Sequence, residues 1–256
     1  MDALLYISAG ACVGFAVGLT GIGGGSLMTP LLLVFGFPAH IAIGTDLMYA
    51  ALTKSGGVLT HHRQKSVDWL LVKAMCAGSI PTTIATIITL KYMFAGSDHY
   101  SLILTTCLGF MLSLTALVLF FRRQLMSIRI LNNAQWSDQR RFNVTVMMGA
   151  LLGVLVTLSS VGAGALGTAI LLMLYPMLSP VKVVGTDIAH AVPLTLVAGL
   201  GHIWLGNVDF GLLGVLLIGS LPAVHFGTRL GRHLPENAMR ILLASILLIL
   251  GIRYLI

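Results

Sequence analysis

The chain has 256 residues, of which 57% are hydrophobic and only 9% are charged, and its mean hydropathy is +0.97. Soluble domains contain about 25% charged residues, so this composition excludes an ordinary soluble protein and indicates an integral membrane protein. The formal net charge of +7 does not indicate nucleic-acid binding, because the basic residues cluster at the ends of apolar runs and form no basic face. Such clusters are typical of residues that orient a chain in a membrane.

Apolar segments of about twenty residues, the length that crosses a bilayer core, follow one another along the sequence and leave no room for a soluble domain. The first segment lacks a basic n-region and a small-residue cleavage site, so we interpret it as a retained helix and not as a signal peptide. It runs into the glycine-rich stretch "GLTGIGGGSLMTP" at residues 18–30. Further segments are expected at about 39–60, 69–90 and 100–121, before a long polar loop at residues 122–141.

The second half of the chain repeats the first. A single ungapped alignment of the chain with itself pairs "GIGGG" (21–25) with "GAGAL" (162–166), "GTD" (44–46) with "GTD" (185–187), and "GSIP" (78–81) with "GSLP" (219–222). We call residues that this alignment pairs equivalent. The matches include aspartate and proline in a chain that is mostly aliphatic, so chance does not explain them. We infer a duplication with a first transmembrane repeat at residues 1–125, a cytoplasmic linker at 126–139 and a second repeat at 140–256.

Charge placement favours halves of opposite orientation. The loop 122–141 contains five arginines and one aspartate, which predicts a cytoplasmic loop. Counting segments backwards places the loop 61–68 inside as well, in agreement with its Arg63 and Lys65. The equivalent loop 202–209 has no lysine or arginine, and the next turn, 228–236, is basic instead. The basic charge has moved to the other loop, as two inverted repeats require.

Inversion makes a structural demand on the glycine-rich segments, since residues 3–37 and 142–178 must each leave and return to the same face. About 35 residues suffice for two short helices of roughly 25 Å each. We place the breaks between them at "LTGIGGGS" and "SSVGAGALG". The predicted fold is therefore all-α, a polytopic bundle of two inverted repeats that each open with a glycine-broken helical hairpin. The alternative is that the glycines only let helices pack closely.

The two breaks are the candidate substrate site. Backbone without hydrogen bonds is not stable against lipid, so a break must be buried in protein or line a polar cavity. New helices starting near Ser26 and Gly167 would present free N–H groups to an anion. The candidate substrate-binding residues are Gly23, Gly24, Gly25, Ser26, Thr29, Ser159, Ser160, Gly162, Gly164, Gly167, Thr168 and Lys54. Each hydroxyl taken alone is also explained by packing or by a bond to its own helix.

Asp46 and Asp187 occupy the same repeat position and are the candidate ion-coupling residues. Insertion scales assign a cost of about 2.5 kcal/mol or more to a carboxylate inside an apolar segment, so such a residue indicates function. The alternative is that both cap helix starts. His190 lies one turn beyond Asp187 and could share a proton with it. Lys54 could attract an anion or extend to the inner interface.

The remaining residues indicate neither a metal site nor an enzyme. His61 and His62 are adjacent and have no further ligand at a suitable spacing, so we expect no metal and no cofactor. The sequence contains no paired acids, nucleophile elbow or nucleotide-binding loop. Asp68 and Asp209 precede apolar runs, and we expect each to cap the helix that follows.

The duplicated glycine-rich opening, the "GTD" start of the next segment and the "GNVDF" turn at residues 206–210 resemble the TauE/SafE family of sulfite and organosulfonate exporters. The resemblance covers nearly the whole chain. The second repeat departs from the first at this motif, because it has Ala165 and Leu166 at the positions equivalent to Gly24 and Gly25.

The resemblance implies a multi-pass carrier of the prokaryotic inner membrane that exports sulfite, sulfoacetate or other organosulfonates. We expect alternating access, driven by the membrane potential or coupled to protons. The expected partners are a small anion, the lipid bilayer and protons, and no nucleic acid is expected. The sequence is compatible with a homodimer. A channel or an uptake carrier for another small ion is the alternative.

The inverted arrangement predicts a definite topology. Thiol labelling or reporter fusions should place residues 61–68, 122–141 and 228–236 in the cytoplasm, and residues 91–99, 203–208 and both termini outside. Labelling of 61–68 and 203–208 from the same face would show that the halves are parallel and would remove the argument for broken hairpins.

Overall fold

The computed structural model describes residues 2–20, 25–94, 99–122, 124, 137–231 and 236–255, and every regular element in these ranges is helical. The helices of the first half are α1 (Asp2–Thr20), α2 (Gly25–Val34), α3 (Ala39–Arg63), α4 (Trp69–Thr89, continued by a π-helical turn at Leu90–Phe94) and α5 (His99–Phe120). Those of the second half are α6 (Asp138–Ser159), α7 (Ala165–Leu174), α8 (Pro180–Trp204), α9 (Phe210–Gly231) and α10 (Glu236–Leu255). The predicted all-helical fold is confirmed.

Among the described residues, five helical stretches are long and apolar enough to cross a membrane. They are Trp69–Met93, Tyr100–Phe120, Asp138–Ser159, Pro180–Trp204 and Phe210–Gly227. α3 is as long as α8 but is not among them, because Asp46, Lys54 and the histidines at its end reduce its mean hydropathy. A multi-pass membrane protein is therefore confirmed.

Each half opens with two helices of unequal length. α1 and α6 have 19 and 22 residues, whereas α2 and α7 have only 10 each. At 1.5 Å per residue the short helices measure about 15 Å, half the thickness of a bilayer core. The expectation of two equal helices of about 25 Å was therefore wrong. Residues 21–24 of the first predicted break lie outside the described residues.

Contacts between α3, α8 and the loops that follow them occur in equivalent pairs. The N–H of Asp209 donates to Thr45 Oγ1 at 3.1 Å, and the N–H of Asp68 donates to Thr186 Oγ1 at 2.9 Å. The backbone of Gly44, early in α3, packs against Asn207, just beyond the end of α8. Equivalent helices α3 and α8 therefore run antiparallel. This arrangement is the one expected of inverted repeats; its orientation in a membrane stays a prediction.

Glycines other than those of the breaks allow the remaining helices to pack closely. Gly10 of α1 lies on the backbone of Leu216 in α9, and Gly149 of α6 lies on the backbone of Met75 in α4. Leu216 is equivalent to Met75, but the residue equivalent to Gly10 is Leu151 and not Gly149. The second half therefore contains two additional residues at its break, which a comparison at one fixed offset does not reveal.

The predicted helix caps at Asp68 and Asp209 are confirmed. Asp68 Oδ1 accepts from the N–H of Leu71 at 3.4 Å, and Asp209 Oδ1 accepts from the N–H of Leu212 at 2.9 Å. These carboxylates begin α4 and α9 and lie at the ends of the bundle. Among the residues whose side chains the structure describes, Asp46 and Asp187 are the buried aspartates.

Candidate functional site

Asp46 connects the short helix of its own half to the break of the other half. It lies well inside α3, whose N-cap is Pro38, so it does not cap that helix. Its side chain is fully buried, and Oδ2 accepts from Thr29 Oγ1 at 2.5 Å, from the Thr29 N–H at 3.2 Å and from Ser160 Oγ at 3.0 Å. Three donors at one oxygen hold α2 and the second break against α3.

The second break, residues 160–164, is held from α3 at two points. Ser160 has a left-handed backbone with φ of 58°, and Gly162 and Gly164 have φ of 105° and 135°. Residues with a Cβ rarely adopt such angles, which explains the glycines. Two turns beyond Asp46 along α3, Lys54 Nζ donates to the carbonyl of Ala163 at 2.8 Å. Asp46 and Lys54 therefore bracket the break of the opposite repeat.

Lys54 lies inside the bundle and does not extend to an interface. Its side chain is only 7% exposed, and its one hydrogen bond among the described residues is to Ala163. Both Asp46 and Asp187 are close enough to interact with its charge. Two carboxylates and one ammonium group therefore share the centre of the molecule.

The side chain of Asp187, in α8, lies against the beginning of α7. Its Oδ1 is so close to Gly167 that a side chain at residue 167 would collide with it, and that oxygen has no hydrogen-bond partner among the described residues. α8 begins with Ser179 as its N-cap, so Asp187 is not a cap either. A carboxylate at a helix start is stabilised by the helix dipole.

The beginnings of α2 and α7, where the sequence predicts that the substrate anion binds, therefore lie next to the protein's own carboxylates. Asp46 is bound near the beginning of α2, and Asp187 lies against the beginning of α7. A substrate anion at either start would be opposed by the neighbouring carboxylate while that group is ionised. Substrate binding at the breaks stays a proposal, and it has to take account of these charges.

His190 and Tyr49 occupy equivalent positions beside equivalent serines. His190 Nε2 lies 2.9 Å from Ser79 Oγ, so its described partner is this serine and not Asp187. Tyr49, the equivalent of His190, and Ser220, the equivalent of Ser79, are likewise buried. The sequence contained a signal for the serines, because both belong to the repeated "GSIP" and "GSLP" motifs, but we assigned them no function.

A cavity of about 510 Å³ is lined by the last third of α3, from Thr53 and Lys54 to Thr60 and His61. Its walls come from the ends of α1 and α3, the beginning of α8 and the second half of α9. The polar side chains that line it are Thr53, Lys54, Thr60, His61 and His225. Apart from Lys54, these residues were not among the sequence candidates. They became apparent only when four helices from both halves were placed around one space.

The remaining predicted site residues either form hydrogen bonds with residues near them in the sequence or lie outside the residues that the structure describes. Thr168 Oγ1 donates to the carbonyls of Gly164 and Ala165 in its own helix. Ser159 is the last residue of α6, and its Oγ donates to the carbonyl of Leu155 and accepts from the N–H of Val161. Gly23 and Gly24 lie outside the described residues, and only the backbone of Gly25 and Ser26 is described, as the first residues of α2.

Lys54 therefore contributes a buried ammonium group to the lining of a cavity between the two halves. In a comparison with known proteins, residues 6–254 match the family described as "Sulfite exporter TauE/SafE". The chain belongs to the TauE/SafE family. It is thus a membrane transporter by family.

Relatives of this TauE/SafE protein are named as transporters without a stated substrate. The chain is 38% identical to "Probable membrane transporter protein YjnA" of Bacillus subtilis (strain 168), over 95% of this chain and 96% of the relative. It is 26% identical to "Probable membrane transporter protein MJ0441" of Methanocaldococcus jannaschii, over 97% and 93%. No solved structure matches the chain.

The bonds of Asp46 predict a stability effect. Thr29→Val keeps the side-chain shape but removes the Oγ1 donor, and a hydrogen bond to a charged group contributes about 1.5–3 kcal/mol. We expect a loss of that size in the free energy of unfolding, measured by reversible denaturation in mixed micelles. Thr115→Val is the matched control, because Thr115 is fully buried in α5 and its hydroxyl has no hydrogen-bond partner among the described residues. Equal losses in both variants would contradict the assigned role of Thr29.

Proposed function

We propose that this TauE/SafE protein is a secondary carrier that exports small sulfur-containing anions, such as sulfite, sulfoacetate or other organosulfonates, across the inner membrane by alternating access. The observation that carries the proposal is the position of Lys54, a buried cation that lines a cavity between the two halves. Its ammonium group has three donors, of which the described residues occupy one. Sulfite and sulfonate groups each offer three acceptor oxygens to such a cation.

The cavity suits a small organic anion. Pockets for small molecules range from about 300 to 1,000 Å³, and this cavity has about 510 Å³. Val17, Ile188 and Val224 form apolar walls beside Lys54. We infer that a sulfonate group binds at Lys54 while a short organic chain lies against these walls.

The charges at the centre favour coupling of the anion to a proton. With Asp46, Asp187 and Lys54 all ionised, the fixed charge of the centre is already −1. Binding of an anion would raise this negative charge in a medium that solvates ions poorly. Protonation of one carboxylate as the anion binds restores the balance. Asp187 is the better candidate, because its Oδ1 is without a partner among the described residues whereas Asp46 is held by three donors.

The cavity corresponds to an inward-facing state. Thr60 and His61, at the end of α3, line the cavity, and they lie next to the loop whose Arg63 and Lys65 predict a cytoplasmic position. The antiparallel arrangement of α3 and α8 supports inverted repeats, which in carriers alternate around a site near the midplane. Proton coupling leaves the direction of net flux to the anion and pH gradients. A channel, the alternative, would need an open path beyond Lys54.

Replacement of Lys54 tests the substrate site directly. Lys54→Gln removes the charge but keeps a donor that can reach the Ala163 carbonyl, so the break should remain in place. We expect the affinity for sulfoacetate to fall at least about tenfold, equivalent to about 1.4 kcal/mol, when binding is measured on detergent-purified protein of matched thermal stability.

Lys73→Gln is the matched control for that measurement, because Lys73 is an exposed lysine on α4 and should not alter binding. Unchanged affinity in Lys54→Gln would remove the anion from this cavity and leave Lys54 as a brace for the break.

A further inference from the structure

We call the cavity beside Lys54 the inner cavity. The equivalent region in the other half of the molecule is closed. Lys54, Gly57 and His61 line the cavity, and their equivalents in the second repeat are Thr195, Ala198 and His202. All three equivalents are fully buried, with 0% exposure. The two ends of the antiparallel pair α3 and α8 therefore differ, since one borders an open space and the other is packed shut.

A chain of polar contacts crosses this closed end. Thr157 Oγ1 donates to Thr83 Oγ1 at 3.2 Å, and the Thr157 carbonyl lies 3.0 Å from His202 Nε2. Asn207 Nδ2 lies 3.1 Å from His202 Nδ1 and 2.5 Å from the hydroxyl of Tyr100. Because the amide nitrogen only donates, His202 Nδ1 accepts and Nε2 carries the hydrogen that is donated to Thr157. We call Thr157, His202, Asn207 and Tyr100 the outer cluster.

The polarity of the outer cluster needs an explanation beyond packing. A closed helix contact is made most simply by small and aliphatic residues, because buried polar groups cost free energy unless every one is paired. Here the polar contacts continue from Thr83, inside the bundle, to Tyr100 at the beginning of α5, and the backbone carbonyl of Thr157 provides the contact with His202. Such a series provides polar walls to a small anion once its members separate.

We propose that the outer cluster closes a second, outward-facing section of the substrate pathway, lined by Thr83, Thr157, Thr195, Ala198 and His202, through which the anion leaves. This inference rests on the proposed carrier function. Two halves of one fold can exchange conformations, so the end of α8 adopts the open arrangement that the end of α3 has here. The lining proposed for the outer section contains Thr195 where the inner cavity contains Lys54. An anion is therefore bound on the inner side and released on the outer side.

Paired cysteines at equivalent positions test the outer section. Gly57→Cys and Ala198→Cys are introduced separately after Cys12, Cys76 and Cys107 have been replaced by alanine. A side chain at residue 57 meets only Ile188, at an ordinary contact distance of 3.5 Å, and alanine already occupies residue 198. In proteoliposomes of known orientation, a membrane-impermeant maleimide should label Gly57→Cys only from the inner side and Ala198→Cys only from the outer side.

A change in the outer cluster should shift the two labelling rates in opposite directions. Asn207→Ser places the residue of the equivalent inner position, Ser66, in the cluster and removes the donor to Tyr100. We expect labelling of Ala198→Cys to rise about tenfold and labelling of Gly57→Cys to fall, as a shift of about 1.4 kcal/mol between two states requires. Tyr100→Phe removes the same bond from the other side and serves as a second variant if Asn207→Ser folds poorly.

Two results would overturn the inference. If Ala198→Cys and Thr195→Cys stay unlabelled from outside in protein that transports sulfoacetate, the outer pathway runs elsewhere. If the cluster variants raise labelling at both ends together, the molecule forms a continuous pore and does not alternate. Failure of the proposed function itself would be seen separately, as unchanged sulfoacetate binding in Lys54→Gln.

Discussion

The centre of this molecule depends on two hydrogen bonds that connect α3 to the break of the opposite repeat. Asp46 accepts from Ser160 where the break begins, and Lys54 donates to Ala163 near its end. Insertion scales assign about 2.5–3.5 kcal/mol to each charge at the middle of a membrane, so these bonds offset part of a real cost. The break in turn sets the beginning of α7 and therefore the contact between Gly167 and Asp187. One helix thus positions both carboxylates.

In the proposed carrier, the same bonds provide a physical link between substrate binding and conformational change. In the proposed carrier, an anion that binds the other two donors of Lys54 draws the ammonium group away from the Ala163 carbonyl, so binding weakens one of the two bonds that hold the break. A ligand shifts a conformational equilibrium only through different interactions with the two states, and this exchange of partners supplies such a difference. Protonation of Asp187, which lies against the start of α7, acts on the same short helix. In the proposed carrier, the anion and the proton therefore both act on α7.

The sequence predicted the chemistry of single helices better than their packing. Charged and glycine residues inside apolar segments identified Asp46, Lys54 and the second break, because such residues are costly in a membrane unless they have a function. The two short helices of each hairpin were predicted, but the 10-residue length of α2 and α7 was not, since apolar composition does not determine helix length. Bonds such as Asp46 to Ser160, which are far apart in the sequence, depend on how helices pack. Ser160 also belongs to the region where the repeat offset changes, which hid its role.

Proton coupling is the most direct test of the central claim, that the anion bound at Lys54 crosses together with a proton on a buried carboxylate. Purified protein in proteoliposomes would receive a gradient of sulfoacetate, whose sulfonate and carboxylate groups are both ionised near neutral pH, while lumenal pH is recorded. The account predicts lumenal acidification that accompanies inward flux and is lost in Asp187→Asn, although that variant still binds sulfoacetate. Two results together would contradict the account: flux without any pH change in the wild type, and normal flux in both Asp46→Asn and Asp187→Asn. They would show that the carboxylates are structural and that transport is not coupled to protons.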